Sequence, residues 1–202
     1  MKTALFLCNR TPTMYAPWLA AGYQCWSVDL QHSAGTTERD GVVLVGADVR
    51  TWIPPRRLVE RCVFACGFPP CTDIAVSGAR WFKGKGLRAL SDAIDTFGAC
   101  VNIIESLGVP GFVENPVSVI ASHYRKPDFT FDPCDFGDPY TKKTCLWAFG
   151  GWQLPTKARV EPTLGSKMHL IGPSEERGDL RSETPPGFAA AVFKEFASKE
   201  AS

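Results

Sequence analysis

Two short segments of the chain carry side chains that could act together in covalent catalysis. In the first, Cys71 directly follows a Pro-Pro pair. Because proline fixes its φ angle and lacks an amide donor, that thiol is presented by a stiff backbone. A cysteine becomes a nucleophile when its pKa is lowered or an acid assists it. In the second segment, Glu114 is followed by Asn-Pro, so a potential acid or base is held at a rigid position.

Each segment alone also has a plainer interpretation. Most cysteines are small buried side chains, and a glutamate after a strand commonly caps a loop. The strands and helices around the two segments decide between these interpretations, because they determine whether Cys71 and Glu114 can meet.

Apolar runs indicate the strands of a largely parallel sheet. The five runs are Thr3 to Asn9, Gln24 to Leu30, Gly41 to Val49, Cys62 to Pro70 and Gly111 to Pro116. Apolar residues recur every three or four positions between about Leu87 and Leu107, which is the period of a helix. Shorter helices are predicted at Ala16–Tyr23 and Pro185–Ala197. Strands alternating with helices predict a doubly wound, mostly parallel α/β fold of the Rossmann-like type, with a small irregular insert.

Polar side chains lie where these predicted strands end. They are Asn9, Asp29, Asp48, Cys71 and Glu114. Ligands of such sheets bind beyond the carboxyl ends of the strands. One helix separates the strand of Cys71 from that of Glu114, and a crossover of this kind places two neighbouring strands side by side. We therefore expect Cys71 and Glu114 at the same edge of the sheet.

Length and composition set the broad class of protein. The chain has 202 residues, 45% of them hydrophobic, and a net charge of +1, which suits a single domain over 1–202. Any contact with nucleic acid must come from a local basic face, since the whole chain is no polycation. Without a membrane-spanning run or a secretion signal, we expect a cytoplasmic protein whose eight cysteines are reduced thiols.

Two further patterns have alternative interpretations. The spacing of Cys62, Cys66 and Cys71 is C-x3-C-x4-C, which is not a common zinc spacing, so no metal site is predicted. The aromatic residues between Trp147 and Trp152 either stack on a base or cover a small core.

The motifs together resemble those of the cytosine-5 DNA methyltransferase family, most of all its small phage and prophage members. Pro70-Cys71 matches the nucleophile motif, and the segment from Cys71 to Arg80 resembles the mobile loop that follows it. Glu114-Asn115 matches the second catalytic motif. The likeness extends over most of the chain, through "LFLCN", "GADV", "FGDPYTKKTCLWAF" and "ETPPGFAAAVFKEF".

This resemblance implies a class I S-adenosylmethionine-dependent methyltransferase fold and gives roles to the matching positions. The implied catalytic residues are Cys71, Glu114, Asn115 and Lys143. The implied contacts to S-adenosylmethionine are Phe6, Cys8, Asn9, Asp29, Leu30, Asp48, Val49 and Pro69. The implied contacts to the substrate, DNA or a cytosine nucleotide, are Pro70, Ser77, Arg80, Lys83, Lys85 and Lys142. The basic residues from Lys83 to Arg88 are explained equally well as a solvated turn.

The resemblance also implies a mechanism. The Cys71 thiolate attacks carbon 6 of cytosine while Glu114 assists at ring nitrogen 3. Carbon 5 then takes the methyl group of S-adenosylmethionine, and loss of its proton releases the enzyme. A cytosine in duplex DNA must first be flipped out of the stack. A phage-encoded enzyme of this kind would act in the host cytoplasm.

The chain departs from the family pattern in three places. Where the family has Gln-x-Arg-x-Arg, the segment "PYTKKTC" keeps positive charge through lysines but lacks the guanidinium groups of arginine. The family's cofactor loop reads Phe-x-Gly-x-Gly, whereas here no glycine occurs between Ala4 and Ala21, although glycine lets a backbone approach a cofactor closely. The target-recognition region is reduced to residues 147–178. Three functions stay open: a cytosine-5 methyltransferase, a related cytosine- or nucleotide-modifying enzyme with altered cofactor use, and a non-catalytic phage binding or decoy protein.

Overall fold

The protein is built on an eight-stranded sheet, in a computed structural model that describes residues 1–166 and 183–200. The strands are β1 Thr3–Leu7, β2 Gln24–Val28, β3 Gly35–Arg39, β4 Val42–Gly46, β5 Cys62–Gly67, β6 Gly111–Pro116, β7 Phe129–Phe131 and β8 Thr144–Phe149. The α-helices are α1 Ala16–Ala20, α2 Arg56–Val59, α3 Phe82–Leu107, α4 Ile120–His123 and α5 Pro186–Glu200. Two 3₁₀ helices span Val76–Trp81 and Pro133–Phe136.

The sheet confirms the predicted α/β class. Its strand order is β3-β4-β2-β1-β5-β6-β8-β7, and all strands run in one direction except β3 and β8, which are antiparallel to their neighbours. Without those two strands the order is β4-β2-β1-β5-β6-β7, which is the order of a Rossmann-like sheet. The order reverses between β1 and β5, so the ligand crevice of such a fold lies beyond their carboxyl ends.

Helices cover both faces of the sheet, because alternate side chains of each strand point to opposite sides. On one face, α3 packs Phe97, Cys100 and Ile104 against β1, β5 and β6. On the other face, α1 and α5 pack Trp18 and Phe188 against the opposite side chains of the same strands. The sheet is therefore doubly wound, as the alternating elements predicted.

Several predicted boundaries are wrong, and several short elements were not predicted. β1 ends at Leu7 rather than Asn9, and β2, β4 and β5 likewise end before the polar residues that follow them, whereas β6 has the predicted bounds and contains Glu114. β3 is exposed at all five positions, so it lacks the apolar pattern that reveals a strand. β7 has three residues and α2 has four, which is too short for a period to emerge. α3 begins at Phe82, and Gly86 interrupts it with φ 80° and ψ 173°.

Gly67 lets α3 approach the sheet directly beneath the candidate site. A Cβ at Gly67 would lie 3.1 Å from Cβ and 3.3 Å from Sγ of Cys100. We expect Gly67→Ala to destabilise the protein by about 1–3 kcal/mol, as overpacking of a core does. Chemical denaturation in urea measures this loss.

Two variants control that measurement. Cys100→Ala removes the contacting sulfur, so the double variant Gly67→Ala/Cys100→Ala should lose less stability than the two single losses added together. Gly98→Ala, within α3 and with no heavy atom within 4 Å of its Cβ position, should be neutral or stabilising. A Gly67→Ala protein as stable as the parent would contradict the close approach.

Candidate active site

The loop that carries Cys71 is fastened to the end of β6. Cys71 lies four positions after the last residue of β5, Gly67, whose partner in β6 is Val113. The side-chain amide of Asn115 donates a 3.1 Å hydrogen bond to the carbonyl of Pro69. Asn115 is fully buried, so this bond fixes the backbone two residues before the thiol.

A second attachment follows Cys71. Its carbonyl accepts hydrogen bonds from the amides of Ile74 (3.1 Å) and Ala75 (2.8 Å), which close a tight turn. The next residues then pair with the chain beyond β6, through Val76 N to Val117 O at 3.0 Å and Val119 N to Ile74 O at 3.1 Å. Cys71 is therefore bracketed by two contacts to one segment, which places its loop at the same sheet edge as Glu114.

Glu114 presents a buried carboxyl group at this edge. Its Oε1 atom is inaccessible and has no hydrogen-bond partner in the described part of the chain. Burial raises the pKa of Glu114, and the nearby Lys142 charge only partly opposes this effect. The carboxyl group therefore holds its proton to a higher pH than an exposed glutamate does.

A small cavity adjoins Glu114 on the face of the sheet covered by α5. Its volume is about 10 Å³, which is room for about one water molecule. It is lined by Phe68, Phe131, Lys142, Thr144, Thr184 and Phe188, among others. The acid thus faces an apolar enclosure with one cation and two threonines.

Asn115 carries a second unsatisfied acceptor beside the first. Its Oδ1 atom is buried without a hydrogen-bond partner among the described residues. A buried acceptor left unpaired costs about 1–3 kcal/mol of folding free energy. Two unpaired acceptors in adjacent residues are therefore uncommon in a folded protein. Unsatisfied groups of this kind are typical of sites that bind a ligand or catalyse a reaction.

The two lysines before β8 have different surroundings from those expected. Lys142 lines the Glu114 cavity and acts electrostatically on that carboxyl group. Lys143 is exposed, and its charge acts on Cys145 instead. This corrects the assignment of Lys143 to catalysis, because successive residues of an extended chain point to opposite faces. Lys142 is the cation beside the acid.

The crevice beyond β1 contains a residue in an uncommon backbone conformation. Cys8 follows β1 and has a φ of 50°, a left-handed value that favours glycine. It occupies the first glycine position of the Phe-x-Gly-x-Gly pattern, so the backbone adopts a glycine-like turn with a cysteine. The Cys8 Sγ atom lies 3.8 Å from the Sγ atom of Cys100.

Two residues expected to contact a cofactor are structural instead. Phe6 is fully buried between Tyr15, Trp18 and Phe64, because strand alternation turns it towards the α1 and α5 side. Asn9 is 4% exposed, and its amide donates to the Thr11 carbonyl and the Ser27 hydroxyl. These contacts correct the assignment of Phe6 and of the Asn9 side chain to a ligand.

The remaining crevice residues have mixed environments. Asp29 follows β2 and caps its own turn by accepting the Gln31 amide at 2.8 Å, while the adjacent Leu30 is 69% exposed. Asp48 follows β4 and binds Arg50 through both oxygens, and the Arg50 hydrogen bond lowers the pKa of Asp48. Two other predicted contacts, Val49 and Pro69, are buried.

The residues expected to bind the substrate lie mostly at the surface. Pro70, Ser77, Arg80 and Lys83 are exposed, with the Arg80 guanidinium 5.0 Å from the ring centre of Trp81. Lys85 differs, because its ammonium group donates to the Thr72 carbonyl (2.9 Å) and to Asp73 (2.7 Å). Lys85 therefore ties the start of α3 to the turn that follows Cys71.

The predicted target-recognition region is described only as far as Ser166, and residues 167–178 lie outside the described residues. Trp147, at its start, is 1% exposed, as expected for an aromatic residue that covers a core. The chain after β8 then folds back onto the second 3₁₀ helix, through Ala158 N to Asp135 O and Val160 N to Cys134 O, both at 2.8 Å. The described part of this region thus packs on its own domain.

Comparison with known proteins leaves the family of this chain open. No model of a known protein family matches it, and no curated protein matches it. Among the described residues, no helix has the length and apolar character to cross a membrane, and no group of three or more His, Cys, Asp and Glu side chains could hold a metal ion.

Sequence reasoning missed the residues that enclose Glu114. Phe68 and Phe131 line its cavity, yet Phe131 belongs to the three-residue β7, which has no recognisable pattern. Thr184 lies just before α5 and Phe188 in its first turn, some seventy positions away from the acid. The sequence could have suggested only Lys142 and Thr144. In an extended chain every second residue lies on the same face, so Lys142, just before β8, shares a face with Thr144 and Leu146.

Proposed function

We propose that the protein transfers a methyl group to carbon 5 of cytosine in DNA through a covalent adduct with Cys71. The observation that carries this proposal is the buried Oε1 atom of Glu114, which has no hydrogen-bond partner among the described residues and lies next to the asparagine that fastens the Cys71 loop. A nucleophile and an acid with a raised pKa at one strand edge can act on opposite sides of one pyrimidine ring.

Each residue then has a defined task. The Cys71 sulfur forms a bond to carbon 6, and the electron pair of the carbon 5–carbon 6 double bond moves towards nitrogen 3, where the Glu114 proton is shared. Carbon 5 becomes nucleophilic and gains the methyl group. Loss of the carbon 5 proton to a base re-forms the double bond, which expels the Cys71 thiolate. Asn115 positions the loop, and the charge of Lys142 adjusts the proton affinity of Glu114.

The crevice beyond β1, β2 and β4 suits S-adenosylmethionine in part. That compound, when bound, supplies an electrophilic methyl group. The exposed Leu30 beside Asp29 offers an apolar surface and an acid at the end of β2, whereas Cys8 keeps a glycine-like φ but adds a side chain to the turn. Asp48 contributes less, since Arg50 already binds both of its oxygens.

The strand order and the position of α5 also support the methyltransferase proposal. A Rossmann-like strand order that reverses between β1 and β5, with α5 closing the face beside Glu114, agrees with a class I methyltransferase. A pyrimidine is larger than the cavity beside Glu114, so binding requires that Thr184 and Pro185 shift away from the acid. Such changes of a loop on ligand binding are common.

The direct test is incubation of DNA with the protein and S-adenosylmethionine that carries a labelled methyl group. After digestion, mass spectrometry of the nucleosides should show labelled 5-methyldeoxycytidine. Label in another nucleoside, or in none while the folded protein is present in excess over its target sites, would refute the proposal. DNA that contains 5-fluorocytosine should in addition form a stable adduct, since fluorine blocks the loss from carbon 5.

A related enzyme that adds another electrophile to cytosine is the second candidate. The observation in its favour is Cys8, which places a side chain where the family pattern has glycine. Release of tritium from carbon 5 of labelled cytosine reports attack by Cys71 without any methyl donor. Tritium release together with no methylation would favour this second candidate.

A further inference from the structure

The segment that follows Cys71 contains a surface cavity of about 350 Å³. It lies between the turn at Asp73 and the first turns of α3, where Gly86 breaks the helix. Its apolar lining includes Phe82, Leu87 and Leu90. A volume of this size is typical of sites for small organic groups, and the Lys85 hydrogen bond to the Thr72 carbonyl joins the cavity to the residue after Cys71.

Three apolar side chains of the segment from Val76 to Leu87 are exposed, and Leu87 among them lines the cavity. Trp81 is 60% exposed, Leu87 is 84% exposed and Val76 is 52% exposed. Single exposed apolar residues are ordinary, but three within twelve positions favour an interaction site in this segment. Trp81 directly precedes Phe82, which lines the cavity, so the chain carries the exposed indole next to a residue of the cavity lining.

The charge of this surface is positive. Arg80, Lys83 and Arg88 are exposed, and Lys83 and Arg88 form no ion pair within residues 1–166 and 183–200. The nearby acids are already engaged, since Asp73 binds Lys85 at 2.7 Å and Asp92 binds Arg50 at 3.3 Å. An aromatic platform with unpaired cations beside it complements a phosphate backbone that carries unstacked bases.

The same features favour a single strand over a duplex. A base in a duplex is stacked on both faces, so neither an exposed indole nor an apolar cavity can take it.

We propose that Trp81 and the adjoining cavity hold an unpaired base next to the target cytosine, so that the substrate is single-stranded DNA. This inference rests on the proposed function. It adds that the DNA substrate is single-stranded and that Trp81 is the residue that favours a single strand over a duplex. Trp81 stacks on the base, while Lys83 and Arg88 contact the phosphates on either side.

The test measures binding of fluorescein-labelled dT12 by fluorescence anisotropy without S-adenosylmethionine. Trp81→Ala should weaken binding at least about fivefold, as expected from the loss of one base–aromatic stack, whereas Trp81→Phe should keep most of the affinity. The matched surface control Arg39→Ala, at the far edge of the sheet, should bind like the parent. Circular dichroism should show the same folded signal for every variant.

The phosphate contacts have their own measurement. The double variant Lys83→Ala/Arg88→Ala should lower the slope of log affinity against log salt by about 1.4, which corresponds to two single-strand phosphate contacts. The duplex dA12·dT12 should bind more weakly than dT12. Tighter binding of the duplex or of the ribonucleotide U12, or a Trp81→Ala affinity within twofold of the parent, would overturn the inference.

Failure of this inference and failure of the proposed function give different results, because dT12 contains no cytosine. An adduct on 5-fluorocytosine DNA combined with dT12 binding that ignores Trp81 would leave the methyl transfer proposal standing alone. Binding of dT12 that depends on Trp81 without any adduct would support the single-strand site and refute the cytosine chemistry.

Discussion

Cys71→Ser is expected to reduce methyl transfer to cytosine by a factor on the order of a thousand or more. A serine hydroxyl keeps roughly the size and position of the thiol, but it stays protonated at neutral pH and is a far weaker nucleophile than a thiolate, so it attacks carbon 6 poorly. Losses of this size are usual when a covalent nucleophile is removed. The ratio kcat/KM, measured with DNA and labelled S-adenosylmethionine, gives the effect.

The structure separates this loss from a general loss of folding. Backbone hydrogen bonds to Ile74 and Ala75, and the Asn115 bond to Pro69, hold the Cys71 loop, so serine should leave the unfolding temperature unchanged. Cys62→Ser is the matched control at the other end of β5, where the thiol donates to the Phe64 carbonyl as a hydroxyl can. Equal activity of the Cys71→Ser and Cys62→Ser proteins would exclude Cys71 as the nucleophile.

The central strands could be predicted from sequence because they are buried on both faces. β1 and β5 are apolar at nearly every position, which distinguishes them from the exposed β3. The neighbourhood of Cys71 and Glu114 followed from topology, since one crossover helix joins two adjacent parallel strands. Helix α3 was evident from its period, although the glycine break within it concealed the first turn.

The environment of each site residue could not be predicted, because it depends on contacts between distant segments. The burial of Glu114 arises from the start of α5 and from β7, neither of which is close to it in sequence. The roles of Lys142 and Lys143 depend on which face of the sheet each one occupies, and a one-residue difference reverses that assignment. Phe6 matched a family position, yet core packing decided its place.

Glu114→Gln should inactivate the protein and at the same time remove a pH dependence of its stability. Loss of the acid at nitrogen 3 should lower the rate by about a hundredfold to ten-thousandfold, the range of general acid–base catalysis. Glutamine keeps the shape of the side chain and needs no proton. Urea denaturation between pH 4 and pH 8 measures stability, and the labelled-methyl assay measures activity.

The sign of the stability effect follows from burial. Desolvation raises the pKa of Glu114 in the folded protein, while the unfolded chain ionises at the usual value for glutamate. Between these two pKa values the folded protein keeps a proton that the unfolded chain releases. The free energy of unfolding therefore falls as the pH rises through that range, by up to about 1.4 kcal/mol per pH unit.

Glutamine cannot ionise, so the stability of Glu114→Gln relative to the parent should increase from pH 4 to pH 8. Glu105→Gln changes an exposed carboxyl on α3 and should show no such trend, which makes it the matched control. A Glu114→Gln protein whose relative stability is constant or falls with pH would mean that this acid is ionised in the folded protein, and it could not then supply a proton to nitrogen 3.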